Sequence, residues 1–376
     1  MKNNGEINEL PAPDNCTGCS ACSNVCPQNA ISMMLSSDGF NIPVIDENTC
    51  VNCGMCVRYC PIASTIHNDN YSEKQITAYA AHINNDSLRL QSSSGGFFSA
   101  VAEYILEQGG IVFGAAWDEN LNVRHIGAEN PAELQLLMSS KYQQSIIGDT
   151  YKQIAAILAN SDRKVLFTGT PCQVAAMKNF SDSENLLTID LVCHGVPSKT
   201  VFEEYIRYIA KGQKVQSYTF RDKSTGWSNY KVKMHMEGKQ TYECITRDDP
   251  FFHGFICDLY SNLPCYNCKF CSIPRTGDIT MGDFWKIPAE LMDEKGVSVL
   301  LANNKKGLRM LAALSHLGRI KIHSKPLTDA LPGNPRIKSG RLPMRADRQI
   351  ILSKISSVGF ETIMENYIKK TQRYVY

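Results

Sequence analysis

Eight of the fifteen cysteines lie within residues 14–62 and form two copies of one pattern. Each copy reads Cys-x₂-Cys-x₂-Cys-x₃-Cys-Pro. This spacing is typical of bacterial two-cluster ferredoxins, in which three thiolates of one copy and the fourth of the other bind each 4Fe–4S cluster. The predicted ligand sets are Cys16, Cys19, Cys22 and Cys60 for one cluster, and Cys50, Cys53, Cys56 and Cys26 for the other. The alternative is structural zinc, whose sites use pairs of cysteines separated by longer spacers.

Four of the later cysteines are candidates for a third metal site. Cys172 and Cys193 each follow an apolar, strand-like segment. Both would therefore lie at the carboxyl edge of a sheet, where open α/β sheets bind their ligands. Cys265 and Cys268 form a CxxC pair, a spacing typical of metal sites in a reducing compartment. The alternative is a set of buried free thiols, because cysteine is among the most buried residue types.

Three short segments have residues suited to binding a phosphate or a sugar-like chain. Residues 92–96 and 169–171 are small residues before predicted helices, where backbone N–H groups can approach an anion. Residues 141–145, Lys-Tyr-Gln-Gln-Ser, combine a cation, an aromatic ring and two amides suited to a ribityl chain or a pyrophosphate. The alternatives are ordinary N-caps and a polar surface turn. Neither GxGxxG nor a Walker A loop occurs, so a Rossmann nicotinamide site has no support.

The composition excludes several classes of function. The chain of 376 residues has a formal net charge of only +2, which suggests no nucleic-acid partner. No stretch approaches the ~20 apolar residues of a membrane helix, and the polar N-terminus lacks the apolar region of a secretory signal. We therefore expect a cytoplasmic protein whose cysteines serve metal binding or catalysis rather than disulfides. Cys244 and Cys257 are interpreted as buried free thiols, and Cys271 stays ambiguous.

Strand-like and helix-like segments alternate after a polar segment at residues 63–75, which is interpreted as a linker. The predicted strands are ITAYAAH, IVFGAAW, KVLFTG and LLTIDLVC, and the predicted helices are GFFSAVAEYILEQ, TYKQIAAILAN, PCQVAAMKNF and PSKTVFEEYIRYIAK. This alternation predicts a parallel or mixed sheet covered by helices. Residues 215–246 alternate as in a β-meander, and residues 345–370 are expected to form one long helix or a broken pair.

Six segments resemble one known family. They are SSSGGFFSA, SSKYQQS, LFTGTPCQVAAMK, DLVCHGVPS, CYNC and ITMGDFW. In this order they are similar to the coenzyme F-420 hydrogenase/dehydrogenase beta-subunit family, which also includes plant hydroxymethyl-chlorophyll reductase. The resemblance covers about Cys16 to Lys286, and GTPCQ with D-x-x-C-x-G-V-P-S is its most specific part.

The resemblance implies a protein that contains FAD together with 4Fe–4S clusters. The residues expected around the flavin are Ser94, Gly95, Gly96, Lys141, Gln144, Thr170 and Gln173. The residues expected to hold a third cluster beside it are Cys172, Cys193, Cys265 and Cys268. The expected fold class is α+β or α/β, with a ferredoxin-like two-cluster module followed by a mixed α/β flavin-binding domain. The expected domains are residues 1–68 for the module, 76–300 for the FAD-binding domain with the third cluster site, and 301–376 for a helical C-terminal region.

The expected function is that of an FAD-dependent oxidoreductase, linked to ferredoxin or to the deazaflavin coenzyme. It would pass electrons between ferredoxin, or another low-potential carrier, and a small organic acceptor or donor. Arg221 and Lys223 are candidates to hold an anionic substrate with Trp227 as a wall, and the alternative is a solvated hairpin tip. His194 is a candidate proton donor, although a structural histidine is preferred, and no catalytic residue is assigned. The competing classes are a non-catalytic electron-transfer subunit of a larger redox complex and a zinc-stapled binding protein.

Overall fold

The computed structural model describes residues 9–64 and 76–371, so most of the predicted linker lies outside the described residues. The strands are β1 (Ile31–Leu35), β2 (Asn41–Ile45), β3 (Thr77–Ile83), β4 (Ile111–Trp117), β5 (Val123–Ala128), β6 (Val165–Gly169), β7 (Leu186–Leu191), β8 (Val215–Asp222), β9 (Lys231–Met236), β10 (Thr241–Ile245), β11 (Ile279–Asp283), β12 (Ser298–Ala302) and β13 (Ile320–Lys325). Short 3₁₀ turns cover Pro13–Asn15, Glu237–Lys239 and Ala289–Leu291.

The helices vary from one turn to four turns in length. They are α1 (Ala21–Val25), α2 (Met55–Arg58), α3 (Asp86–Gln91), α4 (Phe97–Glu107), α5 (Pro131–Leu137), α6 (Thr150–Asn160), α7 (Pro171–Lys178), α8 (Lys199–Ala210), α9 (Pro250–Ile256), α10 (Leu263–Tyr266), α11 (Lys305–His316), α12 (Leu327–Ala330), α13 (Pro335–Ser339) and α14 (Arg348–Ile363), with a π-helical turn at Met364–Ile368. Within the described ranges, no helix combines the length and apolar character needed to cross a membrane.

An eight-stranded mixed sheet forms the centre of the described chain, with the strand order β13-β3-β12-β11-β7-β6-β4-β5. The four strands β4, β6, β7 and β11 run parallel, and the strands on either side pair antiparallel. Strands β6 and β12 are buried along their whole length, as apolar runs in a sheet covered on both faces should be. The fold class predicted from the alternating pattern is therefore confirmed.

The N-terminal module is a β1–β2 hairpin with the short helices α1 and α2. The two cysteine copies share their backbone conformation as well as their spacing. Gly18 in the first copy and Asn52 at the matching position of the second have φ of 66° and 53°. Ser20 and Gly54, the matching residues before α1 and α2, have φ of 65° and 70°. Left-handed residues thus turn the two loops at matching positions.

The three-stranded meander β10-β9-β8 packs with helices α8, α9 and α14 around an aromatic core. The core includes Phe202, Tyr205, Phe220 and Phe251, all nearly inaccessible to solvent. The meander predicted for residues 215–246 is confirmed by this sheet. The last predicted helix is interrupted at Gly359, where φ of 75° breaks the helical geometry.

The C-terminal region differs from the helical region that the sequence predicted. Strand β13 pairs antiparallel with β3 along six residues, so residues after 301 complete one edge of the large sheet. The sequence IKIHSK has no continuous apolar run, and Ile320 is the one fully buried residue of this edge strand. The short pattern was not distinguishable from a loop without its partner strand.

Candidate functional site

The thiols predicted for the first cluster surround one small cavity. Cys16, Cys19, Cys22 and Cys60 all line it. Cys60 comes from the second copy of the repeat, which is the exchange of fourth ligands that the two-cluster pattern requires. Burial raises the pKa of Cys22 to about 12, and the neighbouring Cys16 and Cys60 add to the effect. Four buried thiols with this arrangement suit a metal cluster, which would hold them as thiolates.

The thiols predicted for the second cluster lie nearer the surface. Cys50, Cys53 and Cys56 are close enough that the first two raise the pKa of Cys56, after the larger effect of burial. The side chain of Cys53 is exposed. Cys26 ends helix α1, and its sulfur accepts a hydrogen bond from the Ala30 N–H at 3.3 Å. Cys22 and Cys56 also interact electrostatically, so the two groups of thiols are neighbours.

A third group contains five thiols, one more than the sequence predicted. They are Cys172, Cys193, Cys265, Cys268 and Cys271. Cys172 lies in the first turn of α7 directly after β6, and Cys193 follows β7, so both lie at the predicted sheet edge. Cys271 lies between two of the other thiols, and hydrogen bonding to Cys193 and Cys268 lowers its pKa. The available signal for Cys271 was its x₂ spacing after Cys268, which continues the CxxC pair as in the ferredoxin copies.

The described residues show no group of three or more His, Cys, Asp or Glu side chains that could hold one metal ion. A 4Fe–4S cube binds its four thiolates at separate corners, so its ligands lie farther apart than those of a single ion. The spacing of the thiols in these groups should therefore be compared with that of 4Fe–4S ligands and not with that of single-ion ligands. The two cysteines interpreted as structural lie elsewhere: Cys244 is half-buried in β10, and Cys257 is buried with its sulfur 3.7 Å from His253 Nε2.

The first and third thiol groups meet across the boundary between the module and the large sheet. Burial raises the pKa of Cys19, and the next largest cause is the neighbouring Cys172. Tyr151 lies between them, with its hydroxyl 3.0 Å from the Cys19 carbonyl oxygen and 3.2 Å from that of Gln173. The hydroxyl is fully buried, so this contact ties the cysteine loop of the module to helix α7.

A cavity of about 1150 Å³ opens beside the third thiol group. This volume exceeds the ~300–1,000 Å³ of common small-molecule sites, so the cavity has room for a ligand as large as a dinucleotide. Five of the seven residues expected around a flavin line it: Ser94, Gly96, Lys141, Thr170 and Gln173. Cys193 lines the same cavity, which places the third thiol group in its wall.

The other two expected flavin residues do not line the cavity. Gly95 is pressed against the sheet, where a Cβ would lie 2.4 Å from the Ala81 carbonyl oxygen. Its small size is therefore required by strand β3 rather than by a ligand. Gln144 points to the module: its Nε2 donates to the Thr17 carbonyl at 2.9 Å, and the Asn41 N–H donates to its Oε1 at 3.4 Å.

Lys141 is held by backbone oxygens instead of by an anion. Its Nζ donates to the carbonyls of Leu136, Met138 and Ser139 at 2.7–3.2 Å. Desolvation lowers the pKa of Lys141 to about 7, so the ammonium is stabilised only weakly. Two neighbouring polar atoms in the cavity wall, Ser139 Oγ and Gln143 Nε2, are buried without a hydrogen-bond partner among the described residues. A polar ligand chain in the cavity would supply partners for them.

Arg221 and Lys223 are buried, so the solvated hairpin tip considered from the sequence is wrong. Arg221 forms a two-point ion pair with Asp283, with Nη1–Oδ2 of 2.9 Å and Nη2–Oδ1 of 2.8 Å. Lys223 Nζ donates to three carbonyl oxygens at 2.6–2.9 Å, among them that of Ser94. Both cations thus have protein partners. Trp227 is a wall of the cavity as predicted, and its Nε1 donates to Asp283 at 2.7 Å.

Sequence reasoning missed the roles of two residues in the ITMGDFW segment. Asp283 is the anion that organises Arg221 and Trp227, and Trp285 stacks on Trp227 with ring centroids 5.0 Å apart and planes 2° from parallel. At the level of sequence, this segment contributes only to the family resemblance. An acidic residue followed by an aromatic one at a strand end was the signal that could have assigned them to the cavity wall.

His194 and His125 are two of the three histidines that line the cavity. His194 Nε2 lies 2.9 Å from Asp258 Oδ1, and its ring contacts Phe255 edge-on. His125 is fully enclosed, with Nε2 2.9 Å from the Thr168 carbonyl and the ring stacked on Phe167. Burial lowers the pKa of His125 to about 4, so this ring is neutral at physiological pH. Both rings are fixed by protein contacts on the cavity wall.

Comparison with known proteins gives two family matches. Residues 162–327 match the family model for the C terminus of the coenzyme F420 hydrogenase/dehydrogenase beta subunit. Residues 15–64 match a 4Fe-4S dicluster domain. The solved F420-reducing [NiFe] hydrogenase complex from Methanosarcina barkeri contains a similar chain, with 18% identity, a TM-score of 0.48, and coverage of 78% of this chain and 91% of that one.

Two curated relatives match the N-terminal module. Ferredoxin-2 of Chlorobaculum tepidum is 46% identical over 55 residues, which are 13% of this chain and 81% of that protein. Ferredoxin-type protein NapF of Haemophilus influenzae is 37% identical over 51 residues, 14% of this chain, and the match spans 29% of NapF. The chain therefore carries a ferredoxin-type 4Fe–4S dicluster domain, followed by a region similar to the C terminus of the coenzyme F420 hydrogenase/dehydrogenase beta subunit.

Proposed function

We propose that this chain is an iron–sulfur flavoprotein oxidoreductase. It passes electrons between ferredoxin, or another low-potential carrier, and a small organic acceptor or donor. The family match supports an oxidoreductase subunit of this type, and the dicluster domain supports 4Fe–4S binding. FAD, the ferredoxin partner and the organic substrate are parts of the proposal.

The single observation that carries the proposal is a continuous series of thiols from the surface to the cavity. It begins at the exposed Cys53 and its neighbour Cys56, which interacts with Cys22 of the inner group. Cys19 of the inner group lies beside Cys172, and Cys193 lines the cavity. A series of redox sites that leads from the surface to a large cavity suits electron delivery to a bound acceptor better than a purely structural role of metal in the fold.

The cysteine groups fit the clusters that this function needs. Each ferredoxin copy would supply three thiolates to one cluster and one to the other, and Cys172, Cys193, Cys265 and Cys268 would hold a third. Clusters and flavin, when bound, would supply single-electron carriage and its conversion to hydride equivalents. The chain's own part is to hold these groups close together and to exclude water, which the buried Tyr151 contact does at the boundary between module and sheet.

The cavity wall has distinct parts that would position FAD and substrate. Ser139 and Gln143 offer unpartnered polar atoms to a ribityl chain or pyrophosphate. The half-buried Trp285 offers flat apolar surface, and it is backed by the buried Trp227, which Asp283 keeps in place. Because Arg221 is already paired with Asp283, it orders this wall instead of binding an anionic substrate.

The decisive experiment is anaerobic purification followed by measurement of iron, acid-labile sulfide and flavin per chain. We expect about twelve iron atoms and one FAD, the content of three 4Fe–4S clusters and one flavin. A content of about eight iron atoms would remove the third cluster. A preparation with clusters but no flavin, under conditions that retain the clusters, would contradict the flavoenzyme.

A second measurement distinguishes the enzyme from an electron-transfer subunit, which the family's description as a beta subunit also suggests. The isolated chain is mixed with reduced ferredoxin and a panel of organic acceptors that includes the deazaflavin coenzyme. Turnover of an acceptor supports an enzyme with its own substrate site. Cluster and flavin reduction without turnover of any acceptor favours the subunit.

A further inference from the structure

The segment Gly333–Arg348 lies beyond residues 162–327, which match the beta-subunit family, yet it packs on the third thiol group. Three backbone hydrogen bonds join it to the loop that carries Cys265, Cys268 and Cys271. The Cys268 N–H donates to the Gly340 carbonyl at 3.1 Å, the Leu342 N–H to Tyr266 at 3.0 Å, and the Ile273 N–H to Ile337 at 2.9 Å. The cysteine loop has little regular structure of its own, so these bonds fix its conformation from outside.

Gly340 lies so close to the cysteine loop that a side chain has no room there. It ends helix α13 with φ of 65°, and a Cβ there would lie 2.7 Å from the Cys268 carbonyl oxygen. A side chain would therefore push the segment away from a cysteine of the third group. Gly318 offers a matched comparison, since its φ is 66° and a Cβ there would meet nothing within 4 Å.

Arg336 brings a positive charge to the thiols from the same segment. Its Nη1 donates to the Cys265 carbonyl at 2.9 Å, and its Nη2 lies 3.3 Å from Cys271 Sγ. The residue is 6% exposed, and it forms no ion pair with a carboxylate within the described residues. Arg275, which also reaches Cys271, differs because Asp190 neutralises it at 2.8 Å.

A buried guanidinium without a carboxylate partner is costly unless another anion compensates it. The thiolates of a cluster would be that anion. Neighbouring cysteines, Cys271 foremost among them, favour the charged form of Arg336 although burial opposes it, with a net rise in its pKa. The geometry and the charge thus both direct the segment toward the third thiol group.

We propose that Gly333–Arg348 is a clamp that fixes the cysteine loop of the third cluster, and that Arg336 is a positioning residue that stabilises the negative charge of that cluster. The proposal rests on the proposed function, since it assumes the third cluster. The proposal assigns a role to residues 333–348, which follow the residues that match the family model. Arg336 acts through the cysteines and does not contact substrate.

The charge is tested with Arg336→Gln in the full chain, and Arg309→Gln serves as the control because Arg309 is 63% exposed and paired with Glu184 on the surface. The readout is the midpoint potential of each cluster, from a redox titration followed by electron paramagnetic resonance. Arg336→Gln should make the third cluster at least tenfold harder to reduce, about 59 mV for one electron. Arg336→Lys should restore part of that shift, and Arg309→Gln should change nothing. An unchanged midpoint in Arg336→Gln overturns the electrostatic role.

The clamp is tested with Gly340→Ala, and Gly318→Ala serves as the control for the left-handed backbone. Gly340→Ala should lower the iron content from about twelve to about eight per chain while the N-terminal clusters remain, and Gly318→Ala should keep about twelve. Twelve iron atoms in both variants, or an equal loss in both, overturns the clamp. If the unaltered protein holds only eight iron atoms, the proposed third cluster itself fails. These outcomes keep failure of the clamp apart from failure of the proposed function.

Discussion

Replacing Asp283 by Asn tests whether one buried ion pair organises the cavity wall. Asp283 Oδ1 accepts hydrogen bonds from Arg221 Nη2 at 2.8 Å and Trp227 Nε1 at 2.7 Å, and Oδ2 accepts from Arg221 Nη1 at 2.9 Å. An asparagine keeps one acceptor oxygen. Its amide nitrogen would face an Arg221 N–H, which is also a donor, so one of the two hydrogen bonds between the side chains at positions 221 and 283 is lost.

The expected cost follows from the burial of the pair. The Arg221 side chain is 1% exposed and that of Asp283 is 16% exposed, so the arginine would keep its charge without a compensating anion. Breaking one side of a buried pair costs about 3–5 kcal/mol of the free energy of unfolding. Glu129→Gln is the matched control, since Glu129 and Arg163 are 59% and 37% exposed. Such surface pairs contribute about 0–1 kcal/mol.

Urea unfolding measured by tryptophan fluorescence gives the comparison, because Trp227 and Trp285 both lie in this wall. Asp283→Asn should be less stable than Glu129→Gln by at least about 2 kcal/mol. Adding Arg221→Gln to Asp283→Asn should recover part of the loss, since it removes the uncompensated charge. Equal stability of Asp283→Asn and Glu129→Gln would refute the reasoning, and Arg221 would then again be a candidate to bind an anionic substrate.

Two further predictions concern the cysteine loops and pH. Gly18→Ala and Gly54→Ala both place alanine in the left-handed region, at about 1–2 kcal/mol each. Of these two variants, only Gly18→Ala would also place its Cβ 2.5 Å from Gln144 Nε2. Gly18→Ala should therefore lose its iron–sulfur absorbance at a lower denaturant concentration than Gly54→Ala. Equal denaturation midpoints for the two variants would contradict this. Desolvation lowers the pKa of Lys223 to about 7, so between pH 7 and 10 the unfolded chain holds a proton that the folded chain lacks, and stability should rise with pH. The free energy of unfolding from urea titrations should rise less steeply over this window in Lys223→Met, by up to about 1.4 kcal/mol per pH unit, and an identical slope would exclude the effect.

The sequence predicted those features that depend on local spacing or local pattern. The cysteine copies are read from residues only three or four apart, and the helix after Gly96 from its apolar face. The strands of the sheet centre, such as β6, were found because each is a continuous apolar run. The grouping of Cys172 with Cys193 followed from a general rule about sheet edges.

Features that depend on distant partners were not predictable in the same way. Gly95 has the small size expected of a phosphate loop, yet its neighbours are Ala81 and Ser298 on the sheet. Gln144 carries an amide suited to a ligand, yet its partners lie more than 100 positions earlier in the chain. Lys223 follows the same logic, since a lysine beside a turn is exposed unless remote carbonyls enclose it. The local sequence pattern around a residue does not specify which distant residues it will contact in the folded chain.

The position of β3 in the sheet has a consequence for the order of assembly during synthesis. Strand β3 lies between β12 and β13, so the ladder hydrogen bonds of residues 77–83 can form only after residues 298–325 have been synthesised. Both cysteine copies of the module are complete by Cys60, and its hairpin is local. Long-range pairing of this kind is slow compared with local contacts. We therefore expect the N-terminal module to fold and acquire metal early on a ribosome-bound chain, and the cysteine loop at residues 265–271 to become competent only after residues 298–342, which hold the sheet and the loop in place, have been synthesised.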